Sequence, residues 1–579
     1  TGNIYGKVVD AQGNPLPGVA VTLSGNYISP LTAITTEEGT FRFLSLPPAN
    51  DYEVKLELAG FVTKIETGII VRVGVNTTLN FILEQGKLEE QVTVVAVTPM
   101  IDPKKTAVAT NLDHEALQSL PTARDPWVVM QLAPAIMLDR ENVGGNESGQ
   151  QASFLGRGDM SNSGYYGSDN IWAIDGVDIT DPAAMGGSPG YYDFDMFEEL
   201  NITTGGADVT VQTGGIALNM VTRRGGNKTT LAGRFYLTDK YFQANNLTQK
   251  LIDQGVRGIN KIEQIKDYGF NAGGPIIKDK LWWWGAYGVQ DLFVWTIYGT
   301  QDKTLLNNYN FKLNAQPFKD NRLEILISSG AKEKYGRNAT VAKPEGDHQK
   351  GKYHWGSPII KIQDEQMLGN SLFISAKFAF SDGGFTWVPM TDEELAYPVV
   401  YDQTTKTYVP FASGMQKSWD WYFASRPKKN FMLNVTYFND RFLGLSHEIK
   451  VGAEYNTKHA EHRWGNGRQF DFNVNYPSGQ IDVNGDGTRS ASEMVGWKRF
   501  SYYREGRDNN DVDQYSIYAQ DTITKGRFTF MLGLRYDLQK PYMGAFTIPT
   551  VLIDHPAWNK AVSAETQQVL FDIMPALEV

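Results

Sequence analysis

The chain is 579 residues long, 41% hydrophobic and 12% aromatic, with 57 glycines, no cysteine and a formal net charge of −11. No apolar run approaches the roughly 18 residues a membrane helix needs, which excludes a helical membrane protein, and the lack of cysteine excludes disulfides and thiolate metal sites. The acidic balance argues against a nucleic-acid partner, because binding phosphates calls for a basic surface.

Residues 1–86 read as a small β-sandwich. "GKVVDAQGNPLPGVAVTLSG" gives strand, turn and strand around Gly13-Asn14-Pro15, and residues 35–61 repeat the pattern, alternating at Phe41/Phe43 and at Tyr52, Val54, Leu56 and Leu58. The spacing resembles the carboxypeptidase regulatory-like, transthyretin-type domain, which implies a structural spacer or a sugar- or protein-binding module. Residues 87–100, "KLEEQVTVVAVTPM", are acidic and then β-branched. A lone strand with nothing local to pair with suits addition to the sheet edge of a partner; an ordinary linker strand is the alternative.

Residues 101–226 mix signals. A helical pattern is broken by Pro121, Pro126 and Pro134, and glycine-rich turns and strands follow, with Asp175-Gly176 between apolar runs marking a tight hairpin.

From residue 227 to 579 the pattern is strand after strand of period two. Phe528, Phe530, Leu532, Leu534 and Tyr536 alternate with Thr529, Met531, Gly533 and Arg535. Leu372, Ile374, Ala376, Phe378 and Phe380 oppose Ser375 and Lys377, and Ile449, Val451, Ala453 and Tyr455 oppose Glu448, Lys450, Gly452 and Glu454. A sandwich with one wet face and a membrane barrel with a polar lumen both fit this alternation. Connection lengths favour the barrel. Tight turns at 278–280, 319–321, 369–370, 439–440 and 524–526 alternate with long polar stretches at 239–264, 333–352, 382–427 and 458–510, the rhythm of periplasmic turns and extracellular loops. Trp282, Trp283 and Trp284 follow such a turn, at the depth of an aromatic girdle, and strand alternation requires at least one of them to face inward.

Residues 110–226 carry the family resemblance. "SLPTARDPWVVMQLAPAIMLDRENVGG" and the run from "NIWAIDGVDITDP" to "NMVTRRGGN" resemble the plug of a TonB-dependent outer-membrane receptor, most closely the Oar-like branch with its N-terminal carboxypeptidase regulatory-like domain. That resemblance implies an N-terminal domain and plug on the periplasmic side of the bacterial outer membrane, inside a 22-stranded barrel in contact with lipid. It implies a TonB-type energy-transducing partner acting on a box at Glu89, Glu90, Gln91, Val92, Thr93, Val94, Val95 and Ala96. It also implies an extracellular ligand; aromatic faces with interspersed Asp and Asn suit an oligosaccharide or a peptide, which makes the plug tyrosines Tyr165, Tyr166, Tyr191 and Tyr192, with the long loops, the candidate contacts. Glu198 and Glu199 with Arg223 and Arg224 form a candidate lock between plug and lumen, with surface-exposed strand ends as the alternative. Only about 11 strands fit the 353 residues after 226 (579 − 226), at the ~10 residues of a membrane strand, so the chain reads as the first part of a longer barrel.

"DVNGDGTRSASE", 482–493, matches the spacing of a calcium loop. Side-chain oxygens of Asp482, Asn484 and Asp486, the Thr488 carbonyl, Ser490 directly or through water, and a bidentate Glu493 would coordinate the ion. His459, Glu461 and His462 could ligate a metal but imply no third ligand, and the RGD at 157–159 reads as a turn. No nucleophile triad, phosphate loop or carboxylate pair points to an enzyme. A structural or adhesive surface protein and a soluble carbohydrate-binding β-protein are the competing functions.

Overall fold

The computed structural model describes residues 1–86, 91–95, 107–120, 126–134, 136–138, 152–154, 170–183, 190–256, 258–337, 346–388, 399–402, 407–409, 421–465, 470–474, 497–502, 506–526, 528–545, 547–548 and 577–578, with single residues 102, 124, 188 and 339. Three β-rich parts follow one another along the chain.

The N-terminal part packs two sheets. One has the order Thr40–Leu46, Gly2–Asp10, Asn76–Leu83; the other runs Leu31–Ile34, Ala20–Ser24, Ala49–Glu57, Thr63–Val71, Gln91–Val95. The alternating residues point where a two-layer sandwich requires: Phe41, Phe43, Tyr52, Val54 and Leu56 are buried in one core with Val21, Leu23, Ile69 and Phe81. The 91–95 strand is not the unpaired segment the sequence suggests. It pairs in parallel with Thr63–Thr67, as the edge strand of the larger sheet.

The plug is built on a five-stranded sheet of order Val177–Asp178, Ile171–Ile174, Ala217–Thr222, Phe197–Gly205, Val108–Asp113. The expected hairpin is present, with φ of 48° at Asp175 and 72° at Gly176, the left-handed pair a two-residue turn needs. The proline-broken helical pattern becomes two short helices, His114–Ser119 and Pro126–Val129. Trp127 packs edge-on against Trp172, ring centres 5.0 Å apart.

Around the plug runs a single antiparallel sheet whose long strands are Thr230–Asp239, Lys261–Ile277, Leu281–Trp295, Gln301–Ala315, Asn321–Arg337, Ser357–Leu368, Leu372–Asp382, Pro427–Asn439, Ser446–Gly465, Gly506–Lys525 and Phe528–Met543. Each pairs with the next in chain order. Among the described residues the sheet does not close on itself. The five expected tight turns join these strands at one end, and long connections join them at the other. The exception is Thr296–Thr300, a short link on the long-loop side.

The alternating apolar side chains on the outer face are exposed: Phe530, Leu532, Leu534 at 77%, Val451 and Phe378 among them. No second sheet covers that face among the described residues, so the apolar face is not the inner layer of a sandwich; it is arranged as the outer face of a membrane barrel is. Inward-facing neighbours meet the plug instead. Leu326, Ile359, Ala379 and Trp284 belong to the same buried cluster as Trp127, Trp172 and Phe197.

Leu534→Arg should impair membrane assembly, with a cost of about 2–4 kcal/mol if the residue lies near the bilayer midplane. Met531→Gln, on the inward face of the same strand, should assemble normally; equal assembly of both variants, scored by heat-modifiable migration, would contradict the assignment of faces.

Candidate functional site

The functional centre is the seat of the plug. Its hairpin tip rests on a band of lysines from four strands of the wall. Lys312 and Lys361 both sit opposite Leu326 in the sheet register, so they flank one buried wall residue. Lys361 lies opposite Ala379, between Lys377 and Ser381 of the next strand, and Ser381 in turn lies opposite Lys428. Lys312 Nζ lies 2.9 Å from Asp175 Oδ2 and donates to the Thr222 carbonyl at 3.2 Å. Lys361 donates to the Asp175 carbonyl and to Glu324, both at 2.8 Å. Lys377 donates to the Gly176 carbonyl at 2.6 Å, and Lys428 to the Thr180 carbonyl at 2.6 Å, with Asp178 at 3.3 Å.

The same arrangement, wall cation to plug oxygen, recurs around the lumen. Arg426 meets Asp181 at 3.0 Å, Lys450 meets Asp208 at 2.7 Å, and Arg535 donates to the carbonyls of Val209 and Thr210. Arg234 of the wall and Arg124 of the plug share the carboxylates of Asp195 and Asp267, and Arg234 also holds Asp193 at 2.6 Å. Burial raises Asp193 to about 6, the nearby Arg234 only partly offsetting it. Burial acts on Asp178 and Asp208 in the same sense, but Lys428 with Lys458, and Lys450, outweigh it, so both titrate below the ordinary carboxylate range.

The tryptophans divide by parity. Trp282 and Trp284 face inward, 2% and 1% exposed, and Trp283 lies on the opposite face between them. Trp282 Nε1 donates to Asn227 at 2.8 Å, while the Arg223 guanidinium lies 5.9 Å from the Trp284 ring centre. The proposed glutamate–arginine lock is assembled differently from its sequence pairing. Arg223 approaches Glu198 at 3.8 Å within the plug, and Arg224 reaches Glu324 of the wall at 3.7 Å. Glu199 turns to the N-terminal domain, accepting from the Val73 amide at 3.0 Å.

That domain sits across the tight-turn end of the wall. Arg42 bonds Asp440 and the Asn370 carbonyl, Thr40 bonds Asp440, Ser45 bonds Glu365, and Ser29 bonds the Asp279 carbonyl. Toward the plug, Arg72 pairs with Asp113 at 2.6 Å and the Asn76 amide donates to Asp102 at 2.8 Å. Cavities of 540 Å³ and 210 Å³ lie between plug and wall, their surfaces about evenly polar and apolar, and both are bordered by Gly176 and Lys377.

Of the tyrosines read as ligand contacts, Tyr191 and Tyr192 are buried. Lys332 of the wall lies 4.6 Å from the Tyr191 ring centre, and the Tyr192 hydroxyl is 3.1 Å from Ser188 Oγ. In this arrangement both serve packing between plug and wall. Tyr165, Tyr166, the RGD turn, the calcium-type loop residues Asp482, Asn484, Asp486, Thr488, Ser490 and Glu493, and the box residues Glu89, Glu90 and Ala96 lie outside the described residues. His459 and His462, three apart on one strand, take opposite faces; each bonds an aspartate opposite, Asp511 and Asp508, at 2.6 Å. Among the described residues no group of three or more potential ligands gathers. The lysine band itself escaped sequence reading. Its signal was available in the inward phase of each strand, but only the register places those lysines side by side.

Comparison with known proteins agrees with this architecture. Residues 3–84 match the carboxypeptidase regulatory-like domain. The fold is that of a plugged outer-membrane transporter: the outer membrane transporter YddB from Escherichia coli superposes with a TM-score of 0.54 at 12% identity, over 76% of this chain and 57% of that one. By sequence the chain is a homologue of the TonB-dependent transporter Oar from Myxococcus xanthus, 28% identical over 300 residues, a match covering 49% of this chain and 26% of that protein. The chain thus spans little more than half the length of the solved transporter, and its match with Oar about a quarter of Oar.

The carboxylates set a pH dependence for the seat. Asp193, raised when folded, withholds stability above about pH 6 and restores it as pH falls toward the ordinary aspartate value of about 3.9. Asp178 and Asp208, depressed when folded, contribute stability present above that value and lost as pH falls through their folded pKa. Resistance of the plug to urea should therefore rise from pH 7 to pH 5 and fall at stronger acidity, and Asp193→Asn should flatten the rise. A rise of unchanged size in that variant would contradict the assignment.

Proposed function

We propose that the protein is a TonB-dependent outer-membrane receptor that takes a ligand from outside the cell and imports it past its plug. The observation that carries this reading is the seat itself: a separately folded plug held in the lumen by ion pairs and carbonyl contacts at its hairpin and loop tips. Such contacts can be exchanged for water or solute, unlike the apolar cluster that plug and wall also share.

In this reading the energy-transducing protein of the periplasm acts on Glu89–Ala96. The 91–95 strand supports the role by position, as the outermost strand of its sheet with Val92, Val94 and Val95 exposed. An unpaired strand edge accepts another strand through main-chain bonds. Tension on this segment meets the N-terminal domain first, through the parallel pairing with 63–67, and then the plug through the contacts of Arg72, Val73 and Asn76. Ligand contacts are assigned to the long loops with Tyr165 and Tyr166, and Tyr191 and Tyr192 join them only once the plug has moved. The second reading, a structural or adhesive surface protein, keeps the same seat and never moves it.

Removal of Glu89–Ala96 separates the two. Uptake of the ligand that co-purifies with the native protein should cease while surface assembly persists, and undiminished uptake would favour the static reading. We also assign a weak calcium site to the 482–493 loop, suited to millimolar calcium outside the cell. Calorimetry should register calcium uptake that Asp482→Asn together with Glu493→Gln abolishes; no heat at millimolar calcium in the native protein would remove the site.

A further inference from the structure

From the lysine band we infer that the passage opened by plug movement is a binding path for solutes carrying several carboxylates, with Lys361, Lys377 and Lys428 as its contacts and the plug hairpin as their resident substitute. The inference deepens the transport reading and rests on it.

The starting point is what the hairpin offers. Its tip presents the Asp175 carboxylate, the Asp175, Gly176 and Thr180 carbonyls, and the Asp178 carboxylate, and each lysine of the band takes one or two of these oxygens. An ammonium group pairs with carboxylate as a compact point charge of three donors, without the fork geometry that ties arginine to one orientation. The band is thus suited to a succession of oxyanions differing in shape. Within the band the wall itself supplies one carboxylate, Glu324, shared by Lys361 and Lys312 and approached by Arg224 of the plug. Glu365 and Glu454 of the wall also act on Lys361 and Lys377, so four ammonium groups face three wall carboxylates and remain in excess once the hairpin departs.

Position gives this charge its meaning. Gly176 of the hairpin tip and Lys377 border both internal cavities, together with Thr1, Asn219 and Met432, so the tip is one part of what separates them. Withdrawing it would join the two spaces past Lys312, Lys361 and Lys377 and would uncover Lys428, which lines neither of them now. The same withdrawal strips Lys377 and Lys428 of their plug oxygens and leaves Lys312 and Lys361 only Glu324 as ion-pair partner, an unfavourable state that water relieves in part and a polycarboxylate relieves directly. A solute of that class therefore stabilises the open arrangement against the closed one, which is all a ligand needs in order to shift such an equilibrium. Binding and opening become coupled through the same nitrogen atoms.

The test uses the full-length native protein in planar bilayers, at a urea concentration that releases the plug while the barrel retains its heat-modifiable migration. With a potassium chloride gradient, the open wild-type passage should prefer chloride, and hexaglutamate should block the current where hexalysine does not. The triple variant Lys361→Gln, Lys377→Gln, Lys428→Gln should lose the block and drop its chloride-to-potassium permeability ratio several-fold. The corresponding triple arginine variant, which retains the charge, should keep both and thereby separates charge from folding. Identical selectivity and block in the wild-type and glutamine proteins would overturn the inference. Because no energy-transducing protein takes part, this failure is distinct from failure of the transport reading, which the removal of Glu89–Ala96 tests in cells.

Discussion

The constraint on which this structure depends is that a strand in hydrocarbon has no water to satisfy its backbone. Every amide and carbonyl must find a partner on the adjacent strand, so the chain after residue 227 runs as long antiparallel neighbours, up to 20 residues in Ser446–Gly465 and Gly506–Lys525. Once the backbone is committed to that ladder, the pleat sends alternate side chains to opposite faces. Leucine and phenylalanine take the outside because lipid tolerates them there. Lysine, arginine, asparagine and glutamate are left to the inside, where something has to complement them.

The plug is that complement. Its acidic loop tips, at Asp175, Asp178, Asp181 and Asp208, end against wall cations, and its carbonyl oxygens fill the remaining donor positions. The apolar contacts interleave with these cations: Leu326 lies between Lys312 and Lys361, Ala379 lies opposite Lys361, and Ile359 and Trp284 belong to the same buried cluster. The plug is therefore fastened by packing and by polar contacts on the same wall strands, with further ion pairs around the rest of the lumen. Loss of a few ion pairs is a more accessible change than opening a packed core, and here the two kinds of contact lie on the same strands. The N-terminal domain spans plug and wall together, bonding Glu199 and Asp113 on one and Asp440, Glu365 and Asp279 on the other. It thereby couples the strand at 91–95 to both.

Much of this was legible in the residues. Period-two alternation at 528–536, 372–380 and 448–455 identified the two faces correctly, since a pleated strand has only two. The turn chemistry of Lys278-Asp279-Lys280 and Asp175-Gly176 located reversals, because left-handed backbone tolerates few residue types, and the parity of Trp282–Trp284 required an inward ring. Other matters were hidden. The 91–95 strand looked unpaired because its neighbour, Thr63–Thr67, is separated from it by an intervening strand, and parallel pairing leaves no turn signal. Tyr191 and Tyr192 suggested ligand contacts by composition, but burial against the wall depends on which side of the plug faces it.

The sequence by itself determined the kind of molecule: a sandwich, a plug and lipid-facing strands, because alternation and turn chemistry are local properties written every two or three residues. Only the tertiary structure decided that Lys312, Lys361, Lys377 and Lys428 converge on a single hairpin. They come from four strands, and strand register with the angle of the docked plug, neither of which is encoded locally, brings their nitrogens to one place.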